Sequence, residues 1–263
     1  MICNPHSMIC FSPTDTTRQV LQAISQGLGS NTGEQFDITK GAGERVFSAS
    51  DLVLIGAPVY AGRVAPLALE RLKNFKGTNT PAVLVVLYGN RAFEDALLEM
   101  KDWAVEAGFV PVAGAAFIGE HSYSTEKSPI AVGRPDREDL DQARAFGEAV
   151  RGKLLMLDTL EELVPLEVPG NSPYREVVHS APVAPTVSDD CTACGVCADS
   201  CPSGAITITE TTSTTEAAKC IRCCACIRVC PENARQLNAP NVLKARDFLV
   251  SKHSDRKIPE SFI

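Results

Sequence analysis

The sequence predicts an α/β doubly wound domain on a five-stranded parallel sheet, followed by a small α+β module rich in cysteine. Three observations carry this expectation. Residues 1–157 alternate strand-like and helix-like stretches, the pattern of a parallel sheet with helices on both faces. Two of the stretches, Leu52-Val-Leu-Ile and Ala82-Val-Leu-Val-Val-Leu, are continuous apolar runs with β-branched residues, as strands buried on both faces must be. The third is a cysteine run that occurs twice between residues 191 and 231.

In chain order, strands are predicted at 7–11, 34–38, 52–57, 82–88 and 110–118, and helices at about 16–27, 66–72, 93–107 and 137–157. Pro66 suits a first helical turn and Gly108 the end of a helix. In such a sheet, ligands bind at the carboxyl ends of the strands, near the switch point, and the unusual residues gather there. After the first strand, Ser12-Pro-Thr14-Asp15-Thr16-Thr17 opens a helix. Hydroxyls beside free backbone N–H groups at a helix N-terminus suit a terminal phosphate, although Ser, Thr and Asp serve equally as plain caps.

The third strand runs into Pro58-Val59-Tyr60-Ala61-Gly62-Arg63, the fourth into Tyr88-Gly89-Asn90-Arg91, and the fifth into Gly119-Glu-His121-Ser-Tyr123. Surface turns explain the glycines but not three tyrosines at successive strand ends. A flat ring sandwiched there explains both. His121 reads either as a proton donor to a reduced ring or as a capping histidine. No G-x-G-x-x-G follows the first strand, so a resident nicotinamide dinucleotide is not expected.

Residues 158–187 carry prolines at 165, 169, 173, 182 and 185, which predicts an extended linker with enough apolar residues to pack partly on the first domain. The cysteine module is expected at 188–238, and a helix ending in a polar tail at 239–263. Each half of the module reads C-x2-C-x2-C-x3-C-P: Cys191, Cys194, Cys197 and Cys201 before Pro202, then Cys220, Cys223, Cys226 and Cys230 before Pro231. Three thiolates of such a run hold one 4Fe–4S cluster while the fourth reaches the neighbouring cluster. The expected sets therefore cross, Cys191, Cys194, Cys197 and Cys230 on one cluster, and Cys220, Cys223, Cys226 and Cys201 on the other. Disulfide scaffolds are usually small and secreted, and zinc sites prefer isolated C-x2-C pairs. Matching strand-like tails after each fourth cysteine make the halves an internal repeat. Of eleven cysteines, Cys3, Cys10 and Cys224 remain; Cys10 reads as a core thiol and Cys224 as a packed spectator.

At 263 residues, 44% hydrophobic, the chain has room for an ordinary domain and a small second one, and its apolar runs are too short to cross a membrane. The N-terminal residues lack a signal-peptide pattern, so a cytoplasmic location is expected. A formal charge of −7 disfavours nucleic acid, permits docking on a basic redox protein partner, and is compatible with a homodimer.

F-S-P-T-D-T-T resembles the phosphate loop of flavodoxins, usually T-G-x-T, and G-A-P-V-Y-A-G-R-V resembles the family's loop beside the isoalloxazine ring. With L-Y-G-N-R-A-F-E-D-A-L and V-P-G-N-S-P-Y-R-E, the chain from about residue 7 to 240 resembles bacterial flavodoxin–ferredoxin fusion proteins of anaerobes. The resemblance implies FMN in a flavodoxin-like first domain and two 4Fe–4S clusters in a bacterial two-cluster ferredoxin domain. By that match Ser12, Thr14, Thr16 and Thr17 cradle the FMN phosphate. Pro58, Val59, Tyr60, Ala61 and Gly62, with Tyr88, Gly89 and Asn90, line the ring, and His121, read from the residues themselves, joins the expected flavin set. Asp15 stands where the family has Gly; its carboxylate either turns to solvent or repels the phosphate. The leading expectation is an electron-transfer flavoprotein linking clusters, FMN and a redox partner. The alternative is an FMN-dependent reductase of a small molecule, so the residues leave carrier or oxidoreductase open. An iron–sulfur sensor would leave a flavin pocket without use.

Overall fold

A computed structural model describes residues 5–29, 32–41, 43–177 and 181–263; Cys3 lies outside them. The chain enters through β1 (His6–Cys10) and α1 (Thr16–Leu28), then β2 (Thr32–Asp37) and β3 (Arg45–Phe47). Next come β4 (Leu52–Tyr60), β5 (Arg63–Val64), α2 (Pro66–Leu72), β6 (Phe75–Gly77), β7 (Thr80–Tyr88), α3 (Ala96–Glu106), β8 (Phe109–Ile118) and α4 (Arg137–Leu155). Strands β2, β1, β4, β7 and β8 pair in parallel in that order. Counted along the chain, the five run 2-1-3-4-5, the flavodoxin-like doubly wound order.

The sheet is wider than the expected five strands. It has seven, because β5 folds back antiparallel on β4 and a strand from the far end of the chain pairs antiparallel with β8. The continuous apolar runs lie fully buried in β4 and β7, with a core on each face. On one side Val20, Leu21 and Ile24 of α1 meet Phe146 and Val150 of α4. Those helices cross closely, since a Cβ on Gly27 would fall 2.0 Å from the Arg144 carbonyl oxygen and one on Gly147 2.2 Å from that of Ile24. On the other side α2 and α3 bury Leu72, Leu97 and Met100 against the sheet.

Residues 158–177 do not hang between domains. Leu160 and Leu163 pack on the core under α1 and α4, and Val168 on the opposite core. Lys101 donates to the Leu166 carbonyl at 2.9 Å. Asp95 accepts from the Asn171 backbone and amide at 2.8 Å each and from the Arg175 backbone at 2.7 Å. The prolines do extend this segment, and its leucines strap it down.

The second module contains β9 (Thr186–Val187), α5 (Val196–Asp199), β10 (Ile206–Ile208), β11 (Ser213–Thr215), α6 (Ala225–Arg228) and β12 (Arg235–Gln236). β12 pairs with β9 and β10 with β11, both antiparallel. The chain closes with α7 (Pro240–Lys252) and β13 (Glu260–Phe262). The expected polar tail is thus the strand that joins β8, and it returns the chain to the first domain. Among the described residues no helix is long and apolar enough to cross a membrane.

Candidate functional site

The cysteine repeat is visible in the backbone. Ala193, Gly195 and Gly204 in the first half and Arg222, Cys224 and Asn233 in the second all have positive φ. Each pair falls at the same place in the repeat, and successive residues of this kind turn backbone N–H groups into a concave, anion-accepting nest. Cys191, Cys194, Cys197 and Cys230 line one small pocket, with Ser213 and Arg235 in its wall. That is the first crossed set gathered in one place. Cys201 acts electrostatically on Cys220, Cys223 and Cys226, so the fourth cysteine of the first run lies with the second.

The two sets differ in surroundings. Cys194 is exposed, and hydrogen bonds led by the Ala193 backbone hold the Cys191 thiol below its ordinary pKa. Cys223 and Cys226 are buried, and burial pushes the Cys223 thiol up to about 12. Sulfur also receives protein donors: the Ala205 N–H reaches Cys201 Sγ at 3.3 Å and Arg235 Nη1 reaches Cys197 Sγ at 3.6 Å. Hydrogen bonds to sulfur and exposure are two of the levers that set a cluster's potential. Cys224 faces the small core with Leu237 and Val242, and Cys10 is enclosed in the first domain.

The buried set lies against the carboxyl ends of the sheet. Burial, then Cys223, Cys224, Tyr123 and Cys220, raise the Tyr60 hydroxyl well above its usual pKa. Ile221 packs on the core of the first domain. Arg71 of α2 donates to the carbonyls of Ile38 at 2.8 Å and Pro202 at 2.6 Å, tying the strand-end loops to the turn after Cys201. Arg228 of α6 pairs with Glu120 at 3.5 Å and donates to the His121 carbonyl at 3.4 Å. Arg246 of α7 donates to the Tyr123 carbonyl at 2.9 Å.

The 12–17 loop, where a phosphate is expected, is held by hydrogen bonds. The Ser12 N–H donates to Thr39 Oγ1 at 2.8 Å and Ser12 Oγ accepts from the Arg18 N–H at 3.2 Å. Thr16 packs on Gly119. Thr17 Oγ1 is buried without a hydrogen-bond partner, beside the first turn of α1, where N–H groups have no helical acceptor. Asp15 takes φ 66°, the conformation for which Gly is usual. Its side chain is 58% exposed and paired with Arg18 Nε at 2.9 Å, so it turns away from the loop.

The predicted ring residues come together only in part. Ala61 and Gly62, both at positive φ, form the two-residue turn between β4 and β5, as a twisted hairpin requires. Gly62 has no room for a Cβ beside the Glu94 carboxylate, and its carbonyl accepts from the Asp95 N–H at 3.0 Å. The 61–62 turn is therefore joined to the residues just before α3. Gly89 lies under the His121 ring. Tyr88 belongs to the core and packs against Phe93 at 5.6 Å. Asn90 donates its amide to the carbonyls of His253 at 2.6 Å and Asp255 at 2.9 Å, clamping the segment before β13. The His121 Nδ1 accepts from the Tyr123 N–H at 2.9 Å. Burial, helped by Arg91 and Arg228, pushes its pKa down to about 4, so the imidazole is neutral. The residues present thus fit a terminal phosphate, while the turn at 61–62 is closed on Glu94 and Asp95 and the Asn90 amide on the 253–255 segment.

Arg71, Arg228 and Arg235 escaped the reading of the sequence. The repeat held a signal for Arg235, which stands where the first half has Ile206.

Residues 185–207 match the 4Fe-4S binding domain family. No curated protein matches the chain. Among solved structures, it is similar to a flavodoxin from the domain Archaea at 10% identity and TM-score 0.36, covering 57% of this chain and 99% of that one. It is also similar to the rubredoxin oxygen:oxidoreductase of the anaerobe Desulfovibrio gigas at 15% identity and TM-score 0.33, covering 57% and 38%. Strand order, not these likenesses, carries the fold: the chain joins a flavodoxin-like α/β domain to a 4Fe–4S binding module.

Proposed function

We propose that the protein is an electron carrier with two 4Fe–4S clusters, taking single electrons at the first set, where Cys194 is exposed, and delivering them through the second, where Cys223 and Cys226 are buried. The delivery point is the strand-end face of the first domain, from which a redox protein partner or a flavin draws them. One observation carries this reading: Cys223 and Cys220 act on the hydroxyl of Tyr60, the last residue of β4, and Cys220 acts on that of Tyr123, in the loop after β8. The module's remaining contacts, through Arg71 and Arg228, hold it there.

FMN is the occupant proposed for the 12–17 loop. When bound it would supply one- and two-electron chemistry, but admitting its ring requires the hairpin at 61–62 to part from the 94–95 loop. The path proposed through the clusters needs no flavin. A reductase acting on a small molecule is disfavoured, because the neutral imidazole of His121 has its Nδ1 already engaged and no imidazolium proton to give near pH 7.

Anaerobic purification with iron, acid-labile sulfide and flavin analysis tests this. About eight irons and eight sulfides per chain are expected from two cubane clusters; stoichiometric zinc without sulfide would end the reading. FMN retained through gel filtration supports the flavin assignment, and its loss removes the flavin while leaving the carrier.

A further inference from the structure

Arg235 is the largest fully enclosed side chain among the described residues, 1% exposed. Its Nη1 donates to Ser213 Oγ at 2.6 Å and lies 3.6 Å from Cys197 Sγ. Its Nη2 donates to Thr215 Oγ1, and its Nε is buried without a partner. The positive charge of Arg235 also acts on the thiols of Cys226 and Cys220, lowering the pKa of each against the effect of burial. None of these partners is a carboxylate. A guanidinium stays charged in any protein, and a buried charge without a counter-ion is strongly destabilising.

The partners that can become anionic are cysteines, Cys197 from one crossed set and Cys226 from the other. Ser213 extends the arrangement, because an oxygen that accepts from Arg235 keeps its own proton for Cys191 Sγ, 3.8 Å away. Both hydroxyls come from β11, in the eighteen-residue spacer between Cys201 and Cys220. The spacer thus supplies the fixed neutral ligands of the cation.

We propose that Arg235 is a redox-tuning residue shared by the two clusters, a permanent positive charge between them that makes each easier to reduce. This rests on the two-cluster reading above. Each cluster takes one electron from an external one-electron donor, which is oxidised by one electron. The added negative charge falls beside a cation already in place, so no proton need accompany it. Net charge and hydrogen bonds to sulfur are established determinants of cluster potential, and Arg235 supplies both.

The test is an EPR-monitored redox titration of the full-length protein, prepared anaerobically, after iron and sulfide are counted. In Arg235→Met with eight irons, the reduction equilibrium of both clusters should become at least about tenfold less favourable, about 59 mV for one electron. Arg235→Lys should shift them less, since it keeps the charge and loses the fork. Unchanged potentials in fully loaded Arg235→Met, or a shift confined to one cluster, would overturn the proposal. If that variant does not load, the wild type decides. Its two midpoints should be flat between pH 6.5 and 8.5, and a slope near 59 mV per unit would show proton compensation and overturn it. Fewer than eight irons in the wild type removes the two-cluster reading itself, and this proposal with it.

Discussion

Asp15 shows how one residue carries both a motif and a departure from it. The loop needs φ 66° at this position, which an L-residue adopts at a penalty and Gly does not. The carboxylate escapes the loop by pairing with Arg18. Asp15→Gly should therefore raise stability slightly, by about 1 kcal/mol at most, and leave the affinity for inorganic phosphate within about twofold. Calorimetry of phosphate binding checks it, and a large gain in affinity would mean that the carboxylate does face the anion. His121 gives a pH dependence with a definite sign. Its folded pKa, about 4 against 6.5, means the unfolded chain takes up the proton first. Its contribution is fully present above pH 6.5 and declines as pH falls towards 4, by at most about 1.4 kcal/mol per unit. His6, whose pKa burial also lowers, adds in the same direction. Urea midpoints at pH 7 and 5.5 should differ less in His121→Gln than in the wild type, and equal differences would refute the assignment. Cys224→Ala should keep eight irons, because Cys224 faces Leu237 and Val242, whereas Cys223→Ser should lose cluster iron and sulfide.

Among the elements, those whose burial is written in consecutive residues were legible. β4 and β7 are apolar throughout and were found, as was α4, whose capping box at Asp136 and Asp139 marks its start. The cysteine spacing was legible because ligand chemistry dictates it. β5 was missed since Ala61-Gly62 suits a ligand loop and a two-residue turn equally well. β13 was missed for another reason: Glu-Ser-Phe carries no periodicity, and its place is set by partners far along the chain. Asn90 holds the carbonyls of His253 and Asp255, Arg134 donates to that of Lys257 at 3.0 Å, and Arg256 grips Asp136 with two bonds. Tertiary contacts engage both Asn90, through the 253–255 segment, and Tyr88, through Phe93, and neither contact is written in the local sequence. A chain ending at residue 253 should lose this strap and leave the outer edge of β8 unpaired, a template for association. Its melting temperature should fall by several degrees and its gel-filtration profile should broaden towards larger species. A truncated chain as stable and as monodisperse as the whole one would show that β13 adds nothing.

For the whole molecule, the consequence of these contacts is that the two modules form one body, with Cys194 towards solvent and Cys223 beside Tyr60 at the strand ends. Three separate ties produce this. Arg71 bonds the turn at Pro202, Arg228 bonds Glu120 and His121, and α7 with β13 returns the chain to β8. The ties also mean that the proposed electron path needs no swinging of the cluster module: Cys223 and Cys220 already stand beside Tyr60 at the strand ends. A single compact body of 263 residues should have a radius of gyration of about 18 Å. Small-angle scattering of the cluster-loaded protein should give that value at low and at high salt, because Arg71 donates to carbonyl oxygens and not to a carboxylate screened by ions. Replacing Arg71 and Arg228 together by Ala should leave the iron content at eight while the radius increases and amides near Tyr60 and Tyr123 exchange faster. If the double variant kept both the radius and the exchange rates of the wild type, the docking would have to rest on Ile221, Arg246 and β13. If the wild type itself measured well above about 18 Å, the docked arrangement, and with it the delivery of electrons to the strand-end face, would be wrong.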